Sequence, residues 1–140
     1  MSFIAAAFWL ATAVVGGYML SRTLTGSRNA AGATVSDLPV MPSFLHPTLA
    51  VLGLALLGAY AFTLEEWFAW LALADLVLVA AGGGLLFGKW LKARRAWTSS
   101  ASSPVRRFTA EQTIPVEVVA LHGLLAAATI LLVLVVALRA

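Results

Sequence analysis

Hydrophobic and polar positions in this chain segregate into long blocks rather than alternating with a short period. Apolar runs cover Phe3 to Leu20, about Phe44 to Phe62, Trp67 to Phe87 and about Val116 to Leu138, with the third helix expected to continue to about residue 90. A helix crosses a bilayer with about 17–25 residues, and each run meets that length. None shows the strict alternation of a barrel strand. The expected fold is therefore all-α: a single integral membrane domain over 1–140, built as an antiparallel four-helix bundle. Pro42 and Pro115 lie just before the second and fourth runs, where a missing N–H costs little. Pro47 sits inside the second run and suggests that its helix begins near there. The few residues around Thr63–Glu66 make the second and third helices antiparallel neighbours. The two halves share hydropathy, but no recurring motif is visible.

Composition sharpens this picture. Of 140 residues, 61% are hydrophobic and 11% charged, with mean hydropathy +0.96. A monomer this small cannot hide so much apolar surface from water. There are no cysteines, which excludes disulfides and thiolate metal sites. Net charge is +3, but the cations flank apolar runs and read as topology signals and lipid contacts rather than as a nucleic-acid surface. Arg22 and Arg28 follow the first run; Lys89, Lys92, Arg94, Arg95, Arg106 and Arg107 follow the third; Arg139 alone falls on the other side. The positive-inside rule makes the crowded side cytoplasmic and places both termini outside. With no basic residue before it, the first run reads as an uncleaved anchor of a multi-pass protein of a bacterial plasma membrane. Trp67 and Trp70 are expected at the outer interface, and Trp90 and Trp97 at the inner one. Glu65 and Glu66 complement the N-terminal dipole of the third helix. The segments from about Ser21 to Ser43 and Leu91 to Ile114 read as polar loops, with a short helix near Thr109–Gln112.

Polar groups within lipid are costly, so each one needs an account. The two histidines, His46 and His122, lie in the second and fourth runs. Counted from the nearby prolines, they stand about 5 Å and about 10 Å along their helices, in the same leaflet. Two histidines on different helices are the minimum for bis-imidazole haem ligation, and metal binding here is expected only as haem iron ligation. Gly16, Gly17, Gly82, Gly83, Gly84 and Gly123 cluster near that level. They leave room for a flat cofactor, or equally let helices pack closely. Tyr18 is a candidate neighbour of His122, and a backbone carbonyl is the alternative partner. Asp75 lies about 12 Å from the outer boundary of its helix, near the midplane, and is expected to face the interior. Thr129 shares its depth and lies on one face with His122. Asp75 and Thr129 then form a polar seam, either a proton relay or quinone-site acid, or a protonated carboxyl bonded to Thr129 or Thr12. Soluble-enzyme motifs are absent, and no catalytic residue is assigned.

The stretch Glu111-Gln-Thr-Ile-Pro-Val-Glu-Val-Val-Ala-Leu-His-Gly-Leu-Leu-Ala-Ala-Ala-Thr129, with Leu45-His-Pro-Thr-Leu-Ala50, resembles a group of small, Ala-rich bacterial membrane proteins with no assigned activity. That likeness implies a four-helix bundle and no catalytic role. In architecture alone the chain looks like the haem-b anchor subunits of quinone-linked dehydrogenases. Small multidrug transporters are similar in length, but carry their acid in the first helix rather than the third. The expectation is a non-catalytic membrane subunit or anchor, associated with other subunits or with itself, binding haem b or quinone for electron transfer. The alternative is a small proton-coupled carrier that uses Asp75.

Overall fold

The structure is a computed structural model that describes residues 1–26, 38–99 and 110–140. Arg28, Arg106, Arg107, the linker over 100–109 and the side chain of Trp97 lie outside the described residues. Four helices run in sequence: α1 (Ser2–Gly26), α2 (Val40–Thr63), α3 (Glu66–Ser99) and α4 (Val116–Ala137). A 3-10 turn at Ala110–Thr113 precedes α4, where the short helix was expected. There is no strand among the described residues. All four helices are long and apolar enough to span a membrane.

Three boundaries differ from expectation. Helix α1 continues through Ser21–Gly26, expected as the start of the first loop, with no Pro before Gly26 to end it. Helix α2 starts at Val40, with Pro39 in extended conformation before it and Pro47 inside. Pro42 is in the first turn, where no N–H is required. The Ser43 hydroxyl donates to Pro39 O at 2.9 Å, and Thr48 to Phe44 O at 2.8 Å, so hydroxyls back-bond the turns around Pro47. Helix α3 is 34 residues long and carries Lys89, Lys92, Arg94 and Arg95 beyond the apolar run. The chain from Leu91 to Ser99 is thus helix and not loop. Leu, Lys, Ala, Arg and Trp all propagate a helix, and neither Gly nor Pro interrupts them before Ser99.

The helices form a four-membered ring. Helix α2 packs most closely on α3, and α1 on α4; the contacts of α1 with α2 and of α3 with α4 close the ring. This leaves α1 opposite α3 and α2 opposite α4 across the bundle. Neighbours are antiparallel, so Arg22, Lys89, Lys92, Arg94 and Arg95 gather at one end and Arg139 at the other.

Two apolar clusters tie the bundle. The larger, at the Arg139 end, includes Ala5, Trp9, Leu57, Ala72, Leu76, Val133 and Val136. The smaller joins Trp90, Ile114 and Val119 at the basic end. Trp90 was expected among lipid headgroups, but it is 6% exposed. Because α3 continues inward, the 3-10 turn and the start of α4 cover its indole. Arg94 lies over the same ring at 5.5 Å. Elsewhere Phe3, Val14, Phe62 and Leu124 project outward. Such large apolar side chains on all sides fit a hydrocarbon solvent.

Candidate functional site: two histidines facing across the bundle

His46 is six residues into α2 from Val40, and His122 six residues into α4 from Val116. The depth mismatch expected from the prolines disappears because α2 begins earlier. The two imidazoles meet across the diagonal between the apolar clusters. Their centroids are 6.2 Å apart and their planes are inclined by 64°.

Each ring is fixed by the neighbouring helix in the same way. His46 Nδ1 lies 2.9 Å from Val79 O on α3, and His122 Nδ1 lies 3.1 Å from Thr12 O on α1. A carbonyl only accepts, so both Nδ1 atoms carry the proton. In the neutral rings the lone pair therefore resides on Nε2, the atom a metal would take. A backbone carbonyl on Nδ1 is also the usual orienting partner of a ligating histidine. One helical turn beyond each carbonyl stands a glycine. A Cβ at Gly83 would lie 3.1, 3.6 and 3.9 Å from Cε1, Nδ1 and Nε2 of His46. A Cβ at Gly16 would lie 3.0, 3.5 and 3.9 Å from the same atoms of His122. Gly82 also borders His46, at 3.8 Å. These glycines let the rings lie against the backbone of α3 and α1.

The two halves of the site repeat as under a two-fold rotation that carries α1 onto α3 and α2 onto α4. Ala5 pairs with Ala72, Trp9 with Leu76, Thr12 with Val79 and Gly16 with Gly83; His46 pairs with His122, Gly53 with Thr129 and Leu57 with Val133. The spacings agree at every step. Ala5, Ala72, Trp9, Leu76, Leu57 and Val133 are all buried. The repeat was not visible in the sequence because only the Ala, Gly and His pairs are identical residues.

Asp75 breaks the symmetry, since its counterpart is Phe8. Asp75 is 7% exposed, and its Oδ2 is buried with no hydrogen-bond partner among the described residues. It lies one turn before Val79 and occupies the space left by Gly53. A Cβ on Gly53 would meet Asp75 Oδ2 and would stand 2.7 Å from two ring carbons of Trp9. The expected bond from Asp75 to Thr129 or Thr12 is not formed. Thr129 is 1% exposed and meets Thr12 instead, with the hydroxyls 3.2 Å apart. Both hydroxyls also lie 2.8 Å from carbonyls one turn back, Phe8 O and Leu125 O. Each threonine has one hydroxyl proton, and its own helix offers it an acceptor in place of the carboxylate.

Of the expected site residues, the structure brings His46, His122, Gly82 and Gly83 together and sets Asp75 and Thr129 in the layer beyond. Tyr18 is 45% exposed and lies about 200° around α1 from Gly16, while His122 turns to Thr12 O. The carbonyls of Thr12 and Val79, and the roles of Gly53 and Trp9, had not been expected. The four-residue spacing from Thr12 to Gly16 and from Val79 to Gly83 is the signal they leave in the sequence. A cavity of about 140 Å³ opens between α2 and α3, lined by Met41, Leu45, His46, Leu49, Leu78 and Gly82.

Comparison with models of protein families, with curated proteins and with solved structures returns no match.

Proposed function

We propose that this chain is a small, non-catalytic membrane subunit that holds haem b between His46 and His122 and serves electron transfer in a larger membrane complex. The observation that carries this reading is the imidazole pair at 6.2 Å. With metal–nitrogen bonds of about 2 Å and a ring centroid about 1.1 Å beyond each nitrogen, two imidazoles bridged by one iron have centroids about 6 Å apart. Both rings already present the ligating tautomer, held by helix backbone rather than by flexible groups. The apolar surroundings and the rigid diagonal suit a centre that changes only its electron count, because little reorganises around it.

The setting would be a bacterial plasma membrane, with both termini outside and the basic end of the bundle in the cytoplasm. Outward apolar faces on every helix leave room for neighbouring subunits or a second copy as well as lipid. The cavity beside His46, open between apolar side chains, supports a membrane quinone as the electron partner.

The test is an optical spectrum of the protein purified in detergent. A Soret band that is lost in both His46→Ala and His122→Ala, with helicity retained by circular dichroism, is the expected result. Wild-type protein without Soret absorbance after expression with ample haem would overturn the reading. The carrier would then be the better account, and it has its own support in the unpartnered Oδ2 of Asp75.

A further inference from the structure

We propose that Asp75 is the proton-accepting partner of the histidine-ligated centre, binding a proton when the centre gains an electron and releasing it when the electron leaves. The inference rests on the haem reading above and deepens it. Three observations support it.

The first is position. Along α3, Asp75 precedes Val79, whose carbonyl holds His46, by one turn, or about 6 Å. Along α2, Gly53, whose empty side the carboxyl fills, is two turns from His46, or about 10 Å. The carboxyl thus lies above the imidazole pair on its outer side, close enough for a unit charge in a low-dielectric interior to exceed thermal energy.

The second is the lack of any local compensation. Among the described residues Oδ2 is buried and unpartnered, and the hydroxyls of Thr12 and Thr129 are engaged with each other and with their own backbones. Among the described residues, α1 contributes Trp9 and Thr12 to this layer, neither of which titrates. Of the titratable groups on the surrounding helices, His46 and His122 pair with each other one layer away and Tyr60 packs against the apolar cluster; Glu65 and Glu66 are exposed at the outer end. The charge on the histidine-ligated centre is therefore the variable to which Asp75 responds.

The third is design. The two-fold repeat puts Phe8 where Asp75 stands and Thr129 where Gly53 stands. One half of the bundle thus has a carboxyl with a glycine making room for it; the other has an aromatic ring and a threonine. Phe8 is 38% exposed whereas Asp75 is buried, so among the described residues only one half places a carboxyl in this layer. A carboxyl in this interior is costly, as expected of a group with a function.

The step balances simply. One electron enters from a one-electron donor or a quinol, and one proton from water adds to Asp75 Oδ2. On reoxidation the electron passes to the next acceptor and the proton returns to water. The charge of the interior is the same in both states.

The experiment is a redox titration of the haem-loaded protein against pH, followed optically, with dithionite and ferricyanide as reductant and oxidant. The expected result is a midpoint potential that falls as pH rises, through the range where Asp75 exchanges its proton. In Asp75→Asn the potential becomes independent of pH and stays near the wild-type value at low pH, because the amide mimics the neutral acid. A wild-type slope retained in Asp75→Asn overturns the proposal while leaving haem binding intact. A protein without a Soret band overturns the haem reading and this inference together. Redox-difference infrared spectroscopy of wild-type protein supplies a check that needs no change at Asp75. The chain has two aspartates, Asp37 and Asp75. Carbon-13 aspartate in an Asp37→Asn background therefore reports Asp75 alone. A shifted carboxylic C=O band that grows on reduction supports the proposal, and its absence rejects it.

Discussion

A methyl group on Gly83 would stand 3.1 Å from Cε1 of His46, and one on Gly16 would stand 3.0 Å from Cε1 of His122. Each imidazole is also tied to a carbonyl one turn away, so it can yield only by lengthening that bond or tilting its ring. A methyl on Gly84 would meet nothing within 4 Å. With haem held as proposed, Gly83→Ala and Gly16→Ala should therefore weaken its retention and move the Soret band, with a cost of about 1–3 kcal/mol for overfilling a packed site. Gly84→Ala should leave the spectrum unchanged and modestly favour the helix. Spectra of the three variants purified in parallel check this; equal loss in all three would mean that the glycines serve close helix packing in general rather than ring placement. From sequence, these glycines could be read as close packing or as a cofactor cavity. The structure shows a third use, as seats for the histidines.

Among the elements, the turn between α2 and α3 carries the clearest strain. Leu64 caps α2 in the left-handed region at φ 59°, with its N–H donating to Tyr60 O at 2.9 Å. A branched side chain disfavours that conformation by about 1–2 kcal/mol, and Leu64 is exposed, so its side chain contributes little packing in return. Leu64→Gly should stabilise the bundle by about 0.5–1 kcal/mol, the glycine's extra freedom in the unfolded chain offsetting part of the gain. Thermal unfolding in detergent measures this, and a lowered midpoint would show that the leucine packs on something beyond the described residues. Helix existence and order were legible here because apolar blocks of spanning length leave few alternatives. Boundaries were less so. Pro47 reads as a start signal, yet α2 passes through it, since the hydroxyls of Ser43 and Thr48 bond the turns around it and α3 packs alongside. The long extension of α3 was hidden because Lys and Arg mark the membrane edge without ending a helix.

For the whole molecule, antiparallel neighbours gather Arg22, Lys89, Lys92, Arg94 and Arg95 at one end, and the proposed topology rests on that end facing the cytoplasm. Arg94 near the end of α3 and Arg139 after α4 lie at opposite ends of the bundle. The chain has no cysteine of its own, so single cysteines at these positions can be labelled without background. In intact cells an impermeant thiol reagent should reach Arg139→Cys and not Arg94→Cys until the membrane is opened. Labelling of both from one side would dismantle the assigned topology. The two-fold relation of α1–α2 to α3–α4 belongs to this scale as well. It places the histidines on opposite helices at one depth, facing each other across the bundle.

The sequence by itself determined the number and order of the helices, that each is long and apolar enough to span a membrane, and the positions at which a polar group interrupts an apolar run. Those follow from the length and polarity of contiguous blocks, which are local properties. Only the tertiary structure decided that His46 and His122 meet, that Thr12 and Val79 lend them carbonyls, and that Thr129 turns to Thr12 and leaves Asp75 alone. Such pairings depend on which helix lies beside which and at what rotation. In a chain apolar on every side, no hydrophobic stripe declares that rotation; it is settled by the fit of alanines, glycines and a few large side chains across the interfaces.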